Sequence, residues 1–235
     1  MAKYFIEARI IGRMKYDIRS ITGFAKRQCR LPASKCVPHI TIVYDCTPIN
    51  TRRDERKLIS RFVDVCSRYG HMEFKFEGFG NFANTGVAKI NIQAPPEMHR
   101  LRWDLISQLR DFCRVNRVFD INRGDWSPHV TIAMKLNKAK LNEVMSCLRK
   151  SSPPQGHYYL ARTTLLKRGR ILSEYDFFLR RSLNRSEALN KKIMQQTLGS
   201  IGEAINEKRK FTFIQKVSRL LSLPIRLLKQ IFGKK

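Results

Sequence analysis

The sequence predicts an α+β fold made of two lobes related by a pseudo-twofold duplication, followed by a basic helical tail. Three observations support this. A five-residue phrase occurs twice, as Pro38-His39-Ile40-Thr41-Ile42 and Pro128-His129-Val130-Thr131-Ile132. Strand and helix signals recur in much the same order around each copy. The chain's 235 residues, 43% of them hydrophobic, are enough for one sizeable domain or two small lobes. Similarity outside the phrases is slight, so the repeat rests on element order.

Residues 3–11 alternate apolar and polar side chains, as a strand does. Ile18, Ile21 and Phe24 then recur at helical spacing within 16–28. A loop from Arg30 to Pro38 leads into the first phrase as a strand, 39–44. Thr51, with Asp54 three residues on, predicts a capping box. The apolar stripe that follows (Leu58, Phe62, Val65) runs to a stop at Gly70. Residues 72–77 and 87–93 read as strands joined by a loop, Gly78-Phe79-Gly80-Asn81. Pro95-Pro96 opens a second long helix, a place proline favours, with Leu101, Leu105, Leu109 and Phe112 as its buried stripe. A basic loop holding Arg123 and Gly124 delivers the second phrase as a strand, 129–135. A helix at 139–149, a Pro153-Pro154 turn and strands near 157–166 and 174–180 complete the pattern.

The character changes near residue 182. Residues 1–182 read as the two-lobed domain and 183–235 as a basic, helix-prone extension. No acidic residue follows Glu207. Apolar residues recur at helical intervals from Phe211 to Phe232, with Lys216, Arg219, Arg226 and Lys229 between them. Pro224 predicts a break into two short helices.

Charge restricts the partners. With 46 Lys and Arg against 19 Asp and Glu, the net charge is +27, which implies a polyanion: nucleic acid or an anionic membrane surface. The tail has three readings: it lengthens an RNA-binding surface, lies on an anionic membrane as a basic amphipathic helix, or packs on the core. The N-terminus lacks a signal-peptide apolar block, and no apolar run is long enough to span a bilayer. The six cysteines show no CxxC pair and no zinc-like spacing. A cytoplasmic, monomeric protein with reduced thiols is the expectation.

The phrases carry the chemistry. On a strand, residues i and i+2 share a face, so His39 projects with Thr41 and His129 with Thr131. Their branched neighbours face the opposite side. Two imidazoles, one neutral and one protonated, suit acid–base cleavage of a phosphodiester near neutral pH. Two hydroxyls can hold the non-bridging oxygens as charge builds. No carboxylate cluster is present to hold a metal, so neither metal nor cofactor is expected. His71, His99 and His157 lack a repeated context and read as core or surface residues.

These residues resemble the 2H phosphoesterase superfamily, in particular its 2′-5′ RNA ligase and cyclic phosphodiesterase branch. The likeness covers roughly residues 1–182 and rests on the two His-x-Thr strands. It implies two antiparallel sheets facing a central cleft, with helices outside. It also implies metal-independent opening of RNA 2′,3′-cyclic phosphates to 2′-phosphates, with reversible 2′-5′ ligation in some members. The family commonly has a Tyr near its last strands, which would be Tyr175 here. After the first phrase the family runs on into an aromatic and Gly, where this chain has Val43-Tyr44-Asp45-Cys46. An Arg often stands five residues past the second His. Met134 holds that place here, and Lys135 follows, sharing strand parity with His129.

Further phosphate-holding candidates are Arg30, Arg123 and Arg168. They belong to basic stretches that also include Lys26, Arg27 and Lys35 before the first phrase and Lys167 and Arg170 in the last hairpin. Taken singly, each is more often part of a solvated basic face. Trp126 and Phe79 are candidates for base stacking, although core packing is the commoner fate of an aromatic. His129 is assigned as base and His39 as acid, with pseudo-symmetry leaving little to separate the roles. Two rival readings remain: a phosphodiesterase for 2′-5′-linked or cyclic oligonucleotides, and a catalytically silent RNA-binding protein.

Overall fold

Antiparallel pairing gathers strands from both ends of the sequence into one sheet. The computed structural model describes residues 3–31, 37–116, 120, 124 and 126–221, without the side chains of 51–52 and 212–221. In chain order the elements are β1 (Tyr4–Arg9), α1 (Gly12–Gln28), β2 (His39–Val43), β3 (Cys46–Pro48), α2 (Thr51–Ser67), β4 (Met72–Phe82), β5 (Val87–Gln93) and α3 (Pro96–Leu109). There follow β6 (Cys113–Val115), β7 (His129–Ala133), α4 (Lys138–Leu148), β8 (Tyr158–Leu160), β9 (Arg162–Lys167), β10 (Arg170–Asp176), β11 (Arg181–Leu183), α5 (Arg185–Leu189) and α6 (Lys191–Leu221). Among the described residues the sheet has nine strands in the order β11-β10-β9-β1-β2-β7-β5-β4-β8, with β3 and β6 as a separate ribbon.

The α+β class is as expected, and the pairing adds detail to it. The two lobe sheets join edge to edge between the phrase strands, with Ile40 opposite Val130. The lobes are also not simply the two sequence halves. β1-α1-β2-α2-β4 and β5-α3-β7-α4-β9 are corresponding runs, and each gives its last strand to the other lobe. β4 pairs with β5, and β9 pairs with β1. The helices cover one face, α2 and α3 behind one half and α1 and α4 behind the other.

Alternation along the strands puts Tyr4, Ile6, Ala8, Ile40, Ile42, Ala88, Ile90, Val130 and Ile132 into the core. The helices contribute Ile18, Leu58, Phe62, Leu101, Leu105, Val144 and Leu148. Burying each such side chain is worth about 1.5–3 kcal/mol. Cys29, Cys46, Cys66 and Cys113 are unbridged and buried among them, and Cys147 is half-buried. No described helix is long and apolar enough to cross a membrane.

Several boundaries differ from the sequence reading. Gly78-Phe79-Gly80-Asn81 is not a loop. β4 continues through it with a bulge between Phe76 and Gly78, Gly78 supplying φ +120°. The reversal comes at Ala83–Thr85 and Gly86. The cap of α2 is Asn50 rather than Thr51, and Asp54 accepts from the Asn50 backbone N–H at 3.3 Å. Pro224 and its expected helix break lie outside the described residues.

Gly86 adopts φ +61°, and a Cβ there would meet the Leu136 carbonyl oxygen at 2.0 Å. The Leu136 N–H donates to the Gly86 carbonyl at 3.0 Å, tying the β4–β5 reversal to the end of β7. Gly86→Ala should therefore destabilise the protein by about 1–3 kcal/mol; a denaturant midpoint equal to wild type would contradict this.

The first compact unit runs to Leu198 and the second spans Gly199–Lys235. The first is fastened past residue 182 by a buried polar cluster. Arg162 donates to Asp176 at 2.7 Å, Glu174 at 3.0 Å, the Ile193 carbonyl at 3.2 Å and Thr197 at 2.5 Å. Arg9 and Thr164 also donate to Glu174. This cluster lies on the sheet face opposite the core and pins α5 and the start of α6 there.

Candidate active site

Strand register brings the two phrases together. Because Ile40 opposes Val130 in an antiparallel pair, His39 stands opposite Thr131 and Thr41 opposite His129. Facing residues point to the same side, with Cβ atoms about 4.5–5.5 Å apart. The four side chains therefore form a square on the face away from the core, with imidazole and hydroxyl alternating at its corners. Behind them, Ile40, Ile42, Val130 and Ile132 are each at most 3% exposed, which holds this orientation.

The rings are oriented alike. His39 Nδ1 lies 2.9 Å from the Val37 carbonyl oxygen, and His129 Nδ1 lies 2.8 Å from that of Ser127. Each acceptor sits two residues upstream, across Pro38 or Pro128. With Nδ1–H donating to a carbonyl, proton exchange falls to Nε2 of both rings. Phe5 lies beside His39 and Phe82 stands edge-on to His129, with ring centroids 6.3 and 5.0 Å apart.

The flanking strands make this symmetric square electrically unequal. On β1, Glu7 opposes Thr41 and Arg9 opposes His39, with a Glu7 carboxylate oxygen 3.7 Å from His39 Nδ1. On β5, Lys89 opposes Thr131 and Asn91 opposes His129. Lys89 Nζ donates to the Ser127 hydroxyl at 3.1 Å and lies 4.0 Å from the Phe82 ring centroid. Burial lowers the His129 pKa, and the positive charge of Lys89 adds to this against the Ser127 hydrogen bond. Burial raises the Glu7 carboxyl, partly offset by attraction to His39 and Arg9. His129 thus faces the Lys89 cation, whereas His39 faces the Glu7 carboxyl group, with Arg9 on the same strand already paired with Glu174.

The other sequence candidates fare differently. Lys135 lies past the end of β7 at φ +60°, so the strand parity that would align it with His129 has ended. Tyr175 is buried on β10 opposite Thr163. That register puts it on the core face, away from the square, with its ring against Phe177. Arg30 is exposed beyond α1. Arg168 sits at the tip of the β9–β10 turn, beside a basic depression of about 510 Å³ also lined by Lys167, Arg170, Ile171, Leu172 and Arg185. Lys26 and Arg27 occupy the last turn of α1, while Arg123 and Lys35 lie outside the described residues. Trp126 donates to the Thr41 carbonyl at 3.2 Å and lies edge-on to His99. Phe79, opposite Ile90, packs against the core. His71 stacks on Phe178, and His157 lies 2.5 Å from Glu73.

Sequence reasoning missed Glu7, Arg9, Lys89 and Asn91. Each carries a polar side chain at alternate positions of a strand with apolar neighbours. That pattern marks a solvated face and gives no sign of which strand will lie beside which.

Comparison with known proteins bears on the family and the fold. The family model described as the 2′-5′ RNA ligase superfamily matches residues 11–171. No curated protein matches by sequence. Among solved structures, E. coli LigT complexed with 3′-AMP superposes with a TM-score of 0.50 at 16% identity, over 74% of this chain and 96% of that one. LigT in apo form gives 0.50 at 16% identity, over 71% and 86%. At that identity the likeness concerns the fold. A family match over most of the compact unit, on a fold that seats two His-x-Thr strands side by side, places the chain in the 2′-5′ RNA ligase superfamily of 2H phosphoesterases.

Proposed function

We propose that the protein is a metal-independent RNA 2′,3′-cyclic phosphodiesterase that opens cyclic ends to 2′-phosphates, with 2′-5′ ligation as the related transfer. The observation that carries this reading is the square of two imidazoles and two hydroxyls, each ring held through Nδ1 by a backbone carbonyl.

His129, kept neutral by burial and by Lys89, takes a proton from the attacking water as its oxygen bonds to phosphorus. His39, facing Glu7, gives a proton to the departing 3′-oxygen as that bond breaks. Thr41 and Thr131 donate to the non-bridging oxygens, where charge accumulates in the transition state. The 2′-oxygen keeps the phosphate. Afterwards the rings regain their starting protonation by exchange with solvent. The family resemblance also supports this reading, as does a charge of +27 suited to a polyanion. The LigT structure with 3′-AMP shows that protein holding a nucleotide.

The test is incubation with RNA ending in a 2′,3′-cyclic phosphate, followed by identification of the hydroxyl that retains phosphate. A 2′-phosphate product is expected, at a rate unchanged by EDTA. Loss of turnover with EDTA, or a 3′-phosphate product, would contradict the scheme.

The rate should depend on pH with a definite sign. The base acts when neutral, so the rate falls as pH drops through the His129 pKa, below the ordinary histidine value of 6.5. Lys89→Met removes a nearby cation, raises that pKa and should move the acidic limb to higher pH. Glu7→Gln removes the carboxyl group facing His39 and should move the alkaline limb to lower pH. Rate–pH profiles of the two variants check both shifts; an unmoved limb in either would count against the assigned roles.

A further inference from the structure

Three guanidinium groups gather at one end of the sheet face that bears the square. On that face β1 carries Arg9, Glu7 and Phe5 in turn, with Lys3 next in the alternation and exposed. Leu166 of β9 opposes Phe5, and Ile171 of β10 opposes Leu166. Ile171 and Leu172 line the basic depression of about 510 Å³ together with Lys167, Arg168, Arg170 and Arg185. Arg168, Arg170 and Arg185 are exposed and form no ion pair among the described residues. Lys167 is already paired with Glu55. Glu174, one side-chain row closer to the square, is buried between Arg9 and Arg162. Cations gathered without a carboxylate repel one another, and an anion seated among them relieves this.

We propose that this depression binds backbone phosphates of an RNA substrate upstream of its reacting end. The inference rests on the phosphodiesterase reading, in which the 3′-oxygen departs toward His39, so the ribose and the strand behind it lie on that side. His39 is on the β1 side of the square, and β1 leads to β9 and β10. From Thr41 the depression is three strand spacings across, about 14 Å, and one side-chain row along, about 7 Å. That is beyond the first nucleotide and within reach of the second or third. The ground between suits a single strand. Phe5, beside His39, is half-buried, and Tyr44 is 42% exposed with Lys3 Nζ 4.6 Å from its ring centroid. The Arg168 N–H donates to the Lys3 carbonyl at 2.9 Å, which joins this cation-capped aromatic to the hairpin. Aromatics interleaved with cations let bases stack while phosphates pair, and guanidinium forks take phosphate oxygens two at a time. An anionic membrane would call for exposed apolar side chains among the cations, whereas Ile171 and Leu172 are half-buried.

The test compares the full-length wild type with the triple variant Arg168→Asn, Arg170→Gln, Arg185→Gln. Asparagine suits the φ of +51° at position 168, and the three side chains are exposed, so the fold should persist. Steady-state kinetics are measured on adenosine 2′,3′-cyclic phosphate and on a single-stranded hexanucleotide with the same end. For the hexanucleotide, the variant's KM should rise at least ~10-fold with kcat within about 2-fold. Its slope of log KM against log salt should flatten by about 2, at roughly 0.7 per lost phosphate contact. The mononucleotide KM should stay within about 2-fold. A hexanucleotide KM equal to wild type, or equal rises for both substrates, would overturn the site. Fluorescence anisotropy with a hexanucleotide ending in a 2′-phosphate, and sedimentation with phosphatidylcholine–phosphatidylserine vesicles, separate the remaining outcomes. RNA affinity lost in the variant, with no turnover by wild type, would leave the site standing and remove the phosphodiesterase reading. Vesicle binding lost while RNA binding is kept would overturn the site in favour of a membrane.

Discussion

Replacing either His39 or His129 with Ala should lower turnover of RNA 2′,3′-cyclic phosphate by about 10²–10⁴-fold, the largest effect expected of any single change to the site. Each ring holds one proton-transfer task and its neighbours cannot take it over. Glu7 is beside His39, yet across the seam only Thr131 stands opposite that ring. Next to His129 the nearby ionisable group is Lys89, whose pKa burial lowers and which is already bonded to Ser127. The double variant should fall little further than the worse single one, because groups acting in one step are not additive. Ile40 and Val130 hold both strands from the core side, so the variants should keep the wild-type unfolding midpoint. Single-turnover rates on a cyclic-phosphate end, with thermal unfolding as the control, provide the check. Full activity in either variant would leave the two-histidine scheme without support. RNA affinity retained by both variants, together with an inactive wild type, would favour a silent RNA-binding protein.

Arg162→Met should destabilise the compact unit by about 3–5 kcal/mol. Arg162, Glu174 and Asp176 have no exposed side-chain surface. Removing the guanidinium leaves two carboxylates facing each other out of water, with Arg9 as the nearby cation. Methionine occupies similar volume, so the loss reports uncompensated charge rather than a cavity. The α5–α6 start would also lose its anchors at the Ala188 and Ile193 carbonyls and at Thr197. Chemical denaturation measures the loss, and a midpoint within experimental error of wild type would refute it. Turnover measured well below the unfolding transition should change far less than in the histidine variants, since the cluster lies two strands from the square.

The sequence disclosed the square and hid its surroundings for a physical reason. His39, Thr41, His129 and Thr131 were legible because a strand has a period of two and the phrase is repeated, so local spacing alone fixes a shared face. Which strand neighbours which depends on long-range pairing. Glu7 and Lys89 therefore became visible only once β1 was seen beside β2 and β5 beside β7. Lys135 and Tyr175 show the opposite error. The strand ends at Ala133 and the backbone turns left-handed at Lys135, which alternation along the sequence does not reveal, and a family pattern does not say that Tyr175 points into the core here. Gly78 and Gly80 resembled a turn because glycine usually marks one, yet a bulged strand uses the same residues. Arg162 looked unremarkable in sequence because its partners arrive later in the chain and from a different element.

The exchange of last strands between the lobes also bears on how the chain comes together during synthesis. The strand beside β1 is β9, and Tyr4 pairs with Lys167, so the sheet edge next to the first histidine strand waits for more than two-thirds of the chain to be made. The first repeat cannot close on itself as it leaves the ribosome, because its own last strand, β4, belongs beside β5. Pairings this distant in sequence form slowly. A nascent chain halted after β7 would hold both histidines with β1 still an open edge, and a competent site would wait until that edge is covered.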